Sequence, residues 1–315
     1  MENGSKKLYI AFQYTKRGVT MRVLILGADG MFGHQLCHML NSRMDVFGTV
    51  RSDPEQFEPF HILPEKQLIG NVDITHLASL EKHLKLVKPD VVVNGIGIVK
   101  QRDEAKQAVP SIQVNALFPH QLDELCAERG IRVIQISTDC VFSGIRGNYS
   151  EIDVPDPVDL YGRTKLLGEL NRPGCLTLRT SIIGWQLNTF SGLLSWFALQ
   201  RGKKIKGYHK AIYSGFSTSV LAQLIGDILQ TRQDLNGLYQ VASEPISKFD
   251  LLMRLRDRLG WKDITIEDDD QFFCDRSLSG ARFSVATGWR PPTWDAMLDG
   301  LSTEWPRYAD LYHQN

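Results

Sequence analysis

Strand-like and helix-like segments alternate through the first half of this chain, and this alternation restricts its fold more than any other feature. Short runs rich in β-branched residues are followed by segments with apolar residues at helical spacing. Parallel strands need a crossover between them, usually a helix, so the pattern predicts a parallel sheet covered by helices. The predicted strands are residues 22–26, 45–50, 91–93, 132–137 and 175–180. A helix is predicted for residues 112–129, Thr75 is the expected cap of an earlier helix, and Ser247 and Gly260 are the expected start and end of a later one.

The second half of the chain mixes predicted helices with short strands less regularly. A length of 315 residues suggests about two domains. We therefore expect an α/β protein with a Rossmann-like doubly wound parallel sheet and a smaller mixed α/β C-terminal domain. The expected division is residues 1–20 for an N-terminal extension, 21–181 for the sheet domain and 182–315 for most of the second domain, some of whose segments return to the first.

Composition argues against several classes of protein. Lys plus Arg and Asp plus Glu both number 36, so the charge balance gives no reason to expect a nucleic acid or an anionic membrane as a partner. The five cysteines are scattered without CxxC spacing, which argues against a disulfide framework or a zinc site and favours a reducing cytoplasm. The apolar runs are too short to span a bilayer. Residues 1–20 are polar and basic, with no small-residue cleavage site, and are interpreted as an upstream start or a disordered arm.

A glycine-rich turn lies between the first predicted strand and the first predicted helix. Gly27, Gly30 and Gly33 give a GxxGxxG spacing rather than GxGxxG. Glycines at such positions permit a tight turn, close approach of backbone amides to a diphosphate, and close packing of helix on strand. The helix N-terminus, with Met31 and Phe32, would then face the phosphates. This placement favours a dinucleotide-binding turn over an ordinary surface turn.

The second predicted strand bears on the choice of dinucleotide. A carboxylate at its end would bind a ribose 2′-hydroxyl, whereas an arginine suits a 2′-phosphate. The strand ends near Arg51 and has no carboxylate at its tip, which favours NADP(H); NADH stays an alternative, and Arg51 can also be an ordinary surface charge. Asp73 is a candidate acceptor for the adenine amino group, with a helix-capping role as the alternative. The residues expected along the cofactor after the third and fourth strands are Asp73, Ile74, Asn94, Gly95 and Ile96.

A tyrosine and a lysine one helical turn apart follow the fifth predicted strand. Tyr161 and Lys165 share a helix face, and Thr138 stands at the end of that strand. A phenol has a reference pKa of about 10, and a nearby ammonium group lowers it by favouring the phenolate. A hydroxyl from the strand end could help to hold a substrate oxygen. Together the three side chains describe a proton donor for a carbonyl group.

The order of these motifs resembles that of the extended short-chain dehydrogenase/reductases and, more narrowly, the dTDP-4-dehydrorhamnose reductase family. The resemblance is strong from residue 21 to residue 181 and looser beyond. The segments that carry it are residues 27–33, 114–116 (VNA), 137–144 (STDCVFSG), 161–169 (YGRTKLLGE), 178–181 (LRTS), 276–278 (RSL) and 291–294 (PPTW).

The resemblance implies reduction of the C4 keto group of a nucleotide-linked 4-keto-6-deoxysugar by NADPH, in the service of polysaccharide assembly. Tyr161 would protonate the carbonyl oxygen and Thr138 would hydrogen-bond it. Lys165 would bind the nicotinamide ribose and lower the pKa of the tyrosine. The related 4,6-dehydratases carry Thr-Asp-Glu, whereas Cys140 follows Asp139 here, so reduction is favoured over elimination. A catalytically silent NADP-binding regulatory subunit and a nucleotide-sugar epimerase are the alternatives, and a homodimer is considered.

The substrate-binding residues are less sharply indicated. Residues 95–102 depart from the family's alanine-rich run at the point where the sugar would be held. Lys100 and Arg102 are candidates for contact with a diphosphate, with solvated charges as the alternative. Trp185 is expected to stack on a sugar or a base, with a buried aromatic as the alternative. Arg276 is the candidate for the substrate diphosphate.

Two further groups of polar residues are not expected to bind a ligand. The basic stretch, residues 203–210, is interpreted as a loop, and the acidic run, residues 267–270, as a solvated loop without metal-ligand spacing. His34 and His38 are one helical turn apart but have no third ligand nearby in the sequence. We therefore expect them to be ordinary helix residues and expect no metal site.

Overall fold

The computed structural model describes residues 20–101, 103–188 and 190–313. The predicted N-terminal extension, except for Thr20, and Arg102 therefore lie outside the described residues. The strands are β1 (Arg22–Leu26), β2 (Asp45–Thr49), β3 (Leu68–Ile69), β4 (Val91–Asn94), β5 (Arg132–Thr138), β6 (Cys175–Thr180), β7 (Ile182–Ile183), β8 (Lys204–Tyr213), β9 (Phe216–Ser217), β10 (Gly237–Gln240), β11 (Ile246–Ser247) and β12 (Thr265–Asp275). The α-helices are α1 (Gly33–Leu40), α2 (Leu77–Val87), α3 (Ala108–Ile112), α4 (Phe118–Ala127), α5 (Leu160–Leu167), α6 (Leu193–Ala198), α7 (Thr218–Thr231), α8 (Lys248–Leu259), α9 (Ala281–Thr287), α10 (Trp294–Glu304) and α11 (Ala309–His313).

Seven parallel strands form the central sheet, in the order β10-β6-β5-β4-β1-β2-β3. The chain starts in the middle at β1, runs outward through β2 and β3, and then returns to place β4 on the other side of β1. The carboxyl ends of β1 and β4 therefore border a crevice at the point where the strand order reverses, which is where ligands bind in such sheets. The predicted Rossmann-like α/β fold is confirmed.

Both faces of the sheet are buried, and β1 shows why. Successive side chains of a strand point to opposite faces. Val23 and Ile25 belong to the core cluster that includes α1 and α7, whereas Leu24 and Leu26 belong to the cluster that includes α2 and α4. An uninterrupted apolar strand is what a parallel sheet covered on both sides requires.

The interpretation of the basic stretch and the acidic run as loops is wrong, because both are strands. Residues 204–210 of the basic stretch lie in β8, and the acidic run lies in β12. These two strands pair in parallel in a three-stranded sheet of order β11-β8-β12. Lys206 Nζ lies 2.8 Å from an Asp269 carboxylate oxygen, and His209 Nε2 lies 3.0 Å from Asp268. Each run taken alone is typical of a solvated segment. Placed side by side, their charges neutralise each other across the strands.

Helix ends follow the sequence signals in some places and not in others. Ser247 caps α8 by accepting from the Asp250 amide at 2.9 Å, and Gly260 ends that helix with φ +68°, as predicted. The single helix predicted for residues 112–129 is instead divided by a π-helical turn, Gln113–Leu117, between α3 and α4. No helix in the described part of the chain is both long and apolar enough to cross a membrane.

Candidate functional site

Three polar side chains from β5 and α5 meet at the carboxyl end of the central sheet. Thr138 is the last residue of β5, and Tyr161 and Lys165 lie one turn apart on α5. The start of α5 is fixed by Asp159, which accepts a hydrogen bond from the Gly162 amide at 2.8 Å. The cap therefore fixes where α5 begins, and with it the positions of the tyrosine and the lysine on the helix.

The phenol of this trio is protonated at neutral pH. Burial raises the pKa of Tyr161 well above its usual value, and the hydrogen bond with the Thr138 hydroxyl only partly opposes this. The sequence predicts that Lys165 lowers this pKa, but the lysine Nζ instead donates to the Ile136 carbonyl oxygen of β5 at 2.7 Å. Burial lowers the pKa of Lys165 to about 8, and the Glu169 carboxylate opposes that decrease. Tyr161 is thus in the form that a proton donor needs.

The segment after β5 carries a buried carboxyl group. Thr138 Oγ1 donates to Asp139 at 3.1 Å and accepts from the Cys140 amide at 3.1 Å. Burial raises the pKa of Asp139, and the nearby Arg276 guanidinium partly opposes the increase. Arg276 is partly buried, and its Nε donates to the Phe142 carbonyl oxygen at 2.9 Å. A residue from the last part of the chain thus brings a positive charge beside the trio.

The glycine-rich turn has the close contacts that a dinucleotide site needs. Gly27 adopts a left-handed conformation with φ +78°, which residues with a side chain rarely adopt. A Cβ atom on Gly33 would lie 1.9 Å from the Gly27 carbonyl oxygen, so α1 can start this close to β1 only with glycine there. Gly30, Met31 and Phe32 complete the turn ahead of α1, where the first amides of a helix have no partner within it. The turn fits the diphosphate of a dinucleotide.

Other residues predicted to line the cofactor lie at the ends of β2 and β4. Arg51 is exposed just beyond β2. Asn94 is 1% exposed, donates to Gln135 Oε1 at 2.8 Å and accepts from the Ile96 amide at 3.1 Å. The Asn94 side chain therefore shapes the turn through Gly95, and this turn presents its backbone at the crevice.

Asp73 and Ile74 form the turn that precedes α2. The Asp73 carboxylate accepts from the Thr75 amide at 2.9 Å and from its hydroxyl at 2.7 Å, and these bonds lower the pKa of Asp73. Ile74 is buried in the core cluster that includes α2 and α4. Because α2 begins only at Leu77, the prediction that Thr75 caps this helix is wrong. The Asp73 carboxylate has partners within its own turn.

The structure places Trp185 in the core instead of beside a substrate. Its side chain is fully buried, and its Nε1 donates to the Leu301 carbonyl oxygen at 2.9 Å. The ring packs on Trp305, with ring centroids 4.7 Å apart, and on Trp261. A ring covered in this way has no free face for a sugar or a base. The buried alternative, also considered from the sequence, is what the structure shows.

Hydrogen bonds and an ion pair connect the loop after β4 to α5, and the sequence did not predict these contacts. Asn115, in the π-helical turn, accepts from the Ile98 amide at 2.9 Å and donates to its carbonyl oxygen at 3.0 Å. Its Nδ2 also donates to the Thr164 hydroxyl at 3.3 Å. Lys100 lies 2.7 Å from the Asp159 carboxylate at the start of α5, which gives this lysine a partner within the protein. The only indication in the sequence that Asn115 has a role is the VNA segment, residues 114–116, which resembles the family.

His34 is a structural part of the glycine-rich turn. It is buried; its Nδ1 lies 2.8 Å from the Gly30 carbonyl oxygen and its Nε2 lies 2.8 Å from the Tyr308 hydroxyl. Burial lowers the pKa of His34 to about 4. His38, by contrast, is exposed. Within the described ranges, no group of three or more His, Cys, Asp and Glu side chains is placed to hold a metal ion.

The wild-type protein is expected to lose more stability than a His34→Asn variant as the pH falls from about 6.5 to about 4. The folded-state pKa of about 4 lies below the ordinary value of 6.5. Between these values the unfolded chain binds a proton that the folded protein does not. The free energy of unfolding therefore decreases as the pH is lowered. The expected extra loss is about 3 kcal/mol. Urea unfolding of both proteins across this range measures it, and a difference independent of pH would contradict the prediction.

Comparison with known proteins identifies one family model that covers most of the chain. The model described as "RmlD substrate binding domain" matches residues 21–268. This range includes the glycine-rich turn, the trio of Thr138, Tyr161 and Lys165, and the first four residues of β12.

Individual relatives agree with that match over different lengths. The chain is 26% identical over 251 residues to dTDP-4-dehydrorhamnose reductase of Aggregatibacter actinomycetemcomitans, covering 75% of this chain and 78% of that protein. It is 32% identical over 175 residues to methionine adenosyltransferase 2 subunit beta of Pongo abelii, covering 51% of this chain and only 47% of that relative. Among solved structures, dTDP-4-dehydrorhamnose reductase from Bacillus anthracis str. Ames in complex with NADP has a TM-score of 0.75 at 20% identity, covering 91% of this chain and 100% of that one.

Proposed function

Because this chain belongs to the RmlD substrate binding domain family, we propose that it reduces the C4 keto group of a nucleotide-linked 4-keto-6-deoxysugar with NADPH. The observation that carries the proposal is the meeting of Thr138, Tyr161 and Lys165 at the crevice beside the glycine-rich turn. This arrangement supports a role for the protonated phenol beside a dinucleotide bound at the turn. The reductase name of the relative from Aggregatibacter supports the same activity.

The cofactor would be held by backbone and side chains from several strand ends. When bound, NADPH supplies the hydride. The turn amides would bind its diphosphate, Arg51 its 2′-phosphate, and Lys165 the hydroxyls of the nicotinamide ribose. The fit rests on the close approach at Gly33, where any side chain would displace α1 from β1. The residues assigned to the cofactor are Gly27, Gly30, Met31, Phe32, Gly33, Arg51, Asp73, Ile74, Asn94, Gly95, Ile96, Tyr161 and Lys165.

The protonated phenol supplies the acid that carbonyl reduction needs. Carbonyl reduction needs a proton donor at the developing alkoxide, and oxidation needs a base. Burial keeps Tyr161 protonated, so it suits reduction. Thr138 would turn its O–H from Asp139 towards the substrate oxygen and hold it for the transfer. Cys140, at the position of the dehydratase carboxylate, provides no base for elimination.

The substrate diphosphate is assigned to Arg276, the cation that lies beside the trio. Its guanidinium is held by the Phe142 carbonyl oxygen and by the charge of Asp139, so it is already oriented before substrate binds. Trp185 lies in the core and Lys100 is paired to Asp159, which supports the choice of Arg276 for the diphosphate. A cytoplasmic location and a homodimer stay predictions.

A regulatory subunit is the second candidate, because the chain is also similar to methionine adenosyltransferase 2 subunit beta over about half of each protein. A binding subunit needs the cofactor turn but not a proton donor. The presence of Thr138, Tyr161 and Lys165 together therefore favours the reductase. An epimerase would use the same site without net consumption of cofactor.

The test is to mix the purified protein with NADPH and an enzymatically prepared dTDP-4-keto-6-deoxysugar and to follow the absorbance of the reduced nicotinamide. We expect substrate-dependent oxidation of NADPH, with NADH as a parallel reaction for cofactor preference. Cofactor binding without oxidation across several nucleotide 4-keto sugars would support the regulatory subunit. Formation of an isomeric sugar without loss of NADPH would support the epimerase.

A further inference from the structure

A tyrosine from the end of the chain reaches the helix that follows the glycine-rich turn. The Tyr308 hydroxyl lies 2.8 Å from His34 Nε2 and accepts from Gln35 Nε2 at 3.1 Å. Gln35 Nε2 also donates to Glu304 at 3.2 Å. Tyr308, His34 and Gln35 are each 6% exposed. The last helical segments of the chain are thus hydrogen-bonded to the first turn of α1.

The direction of every hydrogen bond in this chain of contacts is determined. The Gly30 carbonyl oxygen can only accept, so His34 Nδ1, 2.8 Å away, carries the ring hydrogen. In a neutral imidazole the other nitrogen is then an acceptor, so the Tyr308 hydroxyl donates to Nε2. The lowered pKa of His34, about 4, keeps the ring neutral near pH 7. Tyr308 therefore fixes the tautomer of His34, and in this tautomer Nδ1–H donates a hydrogen bond to the Gly30 carbonyl oxygen.

The orientation of one carbonyl group decides the orientation of the next amide. In a planar trans peptide the C=O and the N–H point in opposite directions. The Gly30 carbonyl is directed into α1, where it also accepts from the His34 amide at 3.1 Å. The Met31 N–H must then point out of the N-terminal end of the helix, which is the side that a bound diphosphate occupies.

We propose that Tyr308 is a positioning residue for cofactor binding: through His34 it holds the Gly30–Met31 peptide in the orientation that binds the NADPH diphosphate. The inference rests on the cofactor site proposed above. It means that residues 304–308, to which the proposed reaction assigns no role, contribute to cofactor affinity.

The test is the dissociation constant of NADPH for Tyr308→Phe, measured by the change in nicotinamide fluorescence on binding. Tyr308→Phe removes the hydroxyl that donates to His34 and accepts from Gln35. Loss of the bond that orients His34 is expected to weaken NADPH binding by about three- to tenfold. At saturating NADPH, kcat and the KM for the sugar should stay within about twofold of wild type. Thr293→Ala is the matched control, because it removes the cap of α10, a bond of 3.3 Å to the Ala296 amide, and leaves the Tyr308 phenol intact. It should lower the unfolding temperature without changing NADPH affinity.

A second variant keeps the proposal testable if Tyr308→Phe also loses stability. In a His34→Ala background, Tyr308→Phe should not weaken NADPH binding further, because the tyrosine acts through the histidine. An unchanged dissociation constant in Tyr308→Phe, additive effects in the double variant, or an equal loss of affinity in Thr293→Ala would each overturn the proposal. A wild-type protein that does not bind NADPH would instead contradict the proposed function.

Discussion

Replacing Tyr161 by phenylalanine is expected to lower kcat for keto-sugar reduction by about 10²- to 10⁴-fold. The substitution removes the proton donor and keeps the ring that packs at the start of α5. The dissociation constant of NADPH should change far less than kcat, because the other residues assigned to the cofactor, including the backbone amides of the turn, are unchanged. Stopped-flow or steady-state oxidation of NADPH, together with fluorescence titration of the cofactor, separates the two quantities.

Tyr239→Phe is the matched control for that experiment. Tyr239 lies in β10 with its ring under the Arg282 guanidinium, 4.8 Å from the centroid, and outside the proposed site. Loss of its hydroxyl should leave kcat unchanged. If Tyr161→Phe retained the wild-type rate with the same sugar, the assignment of the proton donor would be wrong, even if the protein reduces its substrate.

Replacing Glu169 by glutamine is expected to lower the free energy of unfolding by about 3–5 kcal/mol. Glu169 and Arg179 form a two-pronged ion pair, with both N–O distances 2.7 Å and side chains only 8% and 6% exposed. The Ser137 hydroxyl also donates to Glu169 at 2.6 Å. Without the carboxylate, the arginine would remain buried and charged with no countercharge at that position. Urea unfolding followed by circular dichroism measures the loss.

Asp103→Asn is the control for the buried pair. Asp103 pairs with Lys106 at 2.9 Å, but these side chains are 92% and 79% exposed, so solvent screens their attraction. The same chemical change at this surface pair should leave the unfolding midpoint almost unchanged. Equal effects at Glu169 and Asp103 would show that the buried pair contributes no more than a surface pair.

The elements that the sequence predicted well are those encoded by neighbouring residues. The strand from Arg22 to Leu26, the cap at Ser247 and the spacing of Tyr161 and Lys165 each depend on a few consecutive positions. The parallel sheet follows from repetition of such local patterns. These features are found in the structure as predicted because tertiary contacts reinforce the local preference instead of overriding it.

The features that the sequence did not predict depend on partners far apart in the chain. The bond between His34 and Tyr308 joins residues 274 positions apart. The basic stretch and the acidic run were assigned separately because nothing in either run identifies the other as its partner. Trp185 has a ring that could stack on a ligand, and only its complete burial against distant residues such as Trp305 shows that the ring is not available. The role of Arg276 depends in the same way on its approach to Asp139.

The position of β10 has a consequence for where this chain can be divided. β10 comes from the second half of the sequence, yet it pairs with β6 and forms the edge of the central sheet. All six residues of β6 are buried. A fragment ending at residue 181 would leave this buried strand as an open edge, a template for pairing with strands of other molecules. The nucleotide-binding half therefore depends on the later half for its solubility, and a truncation before β10 would favour aggregation over independent folding.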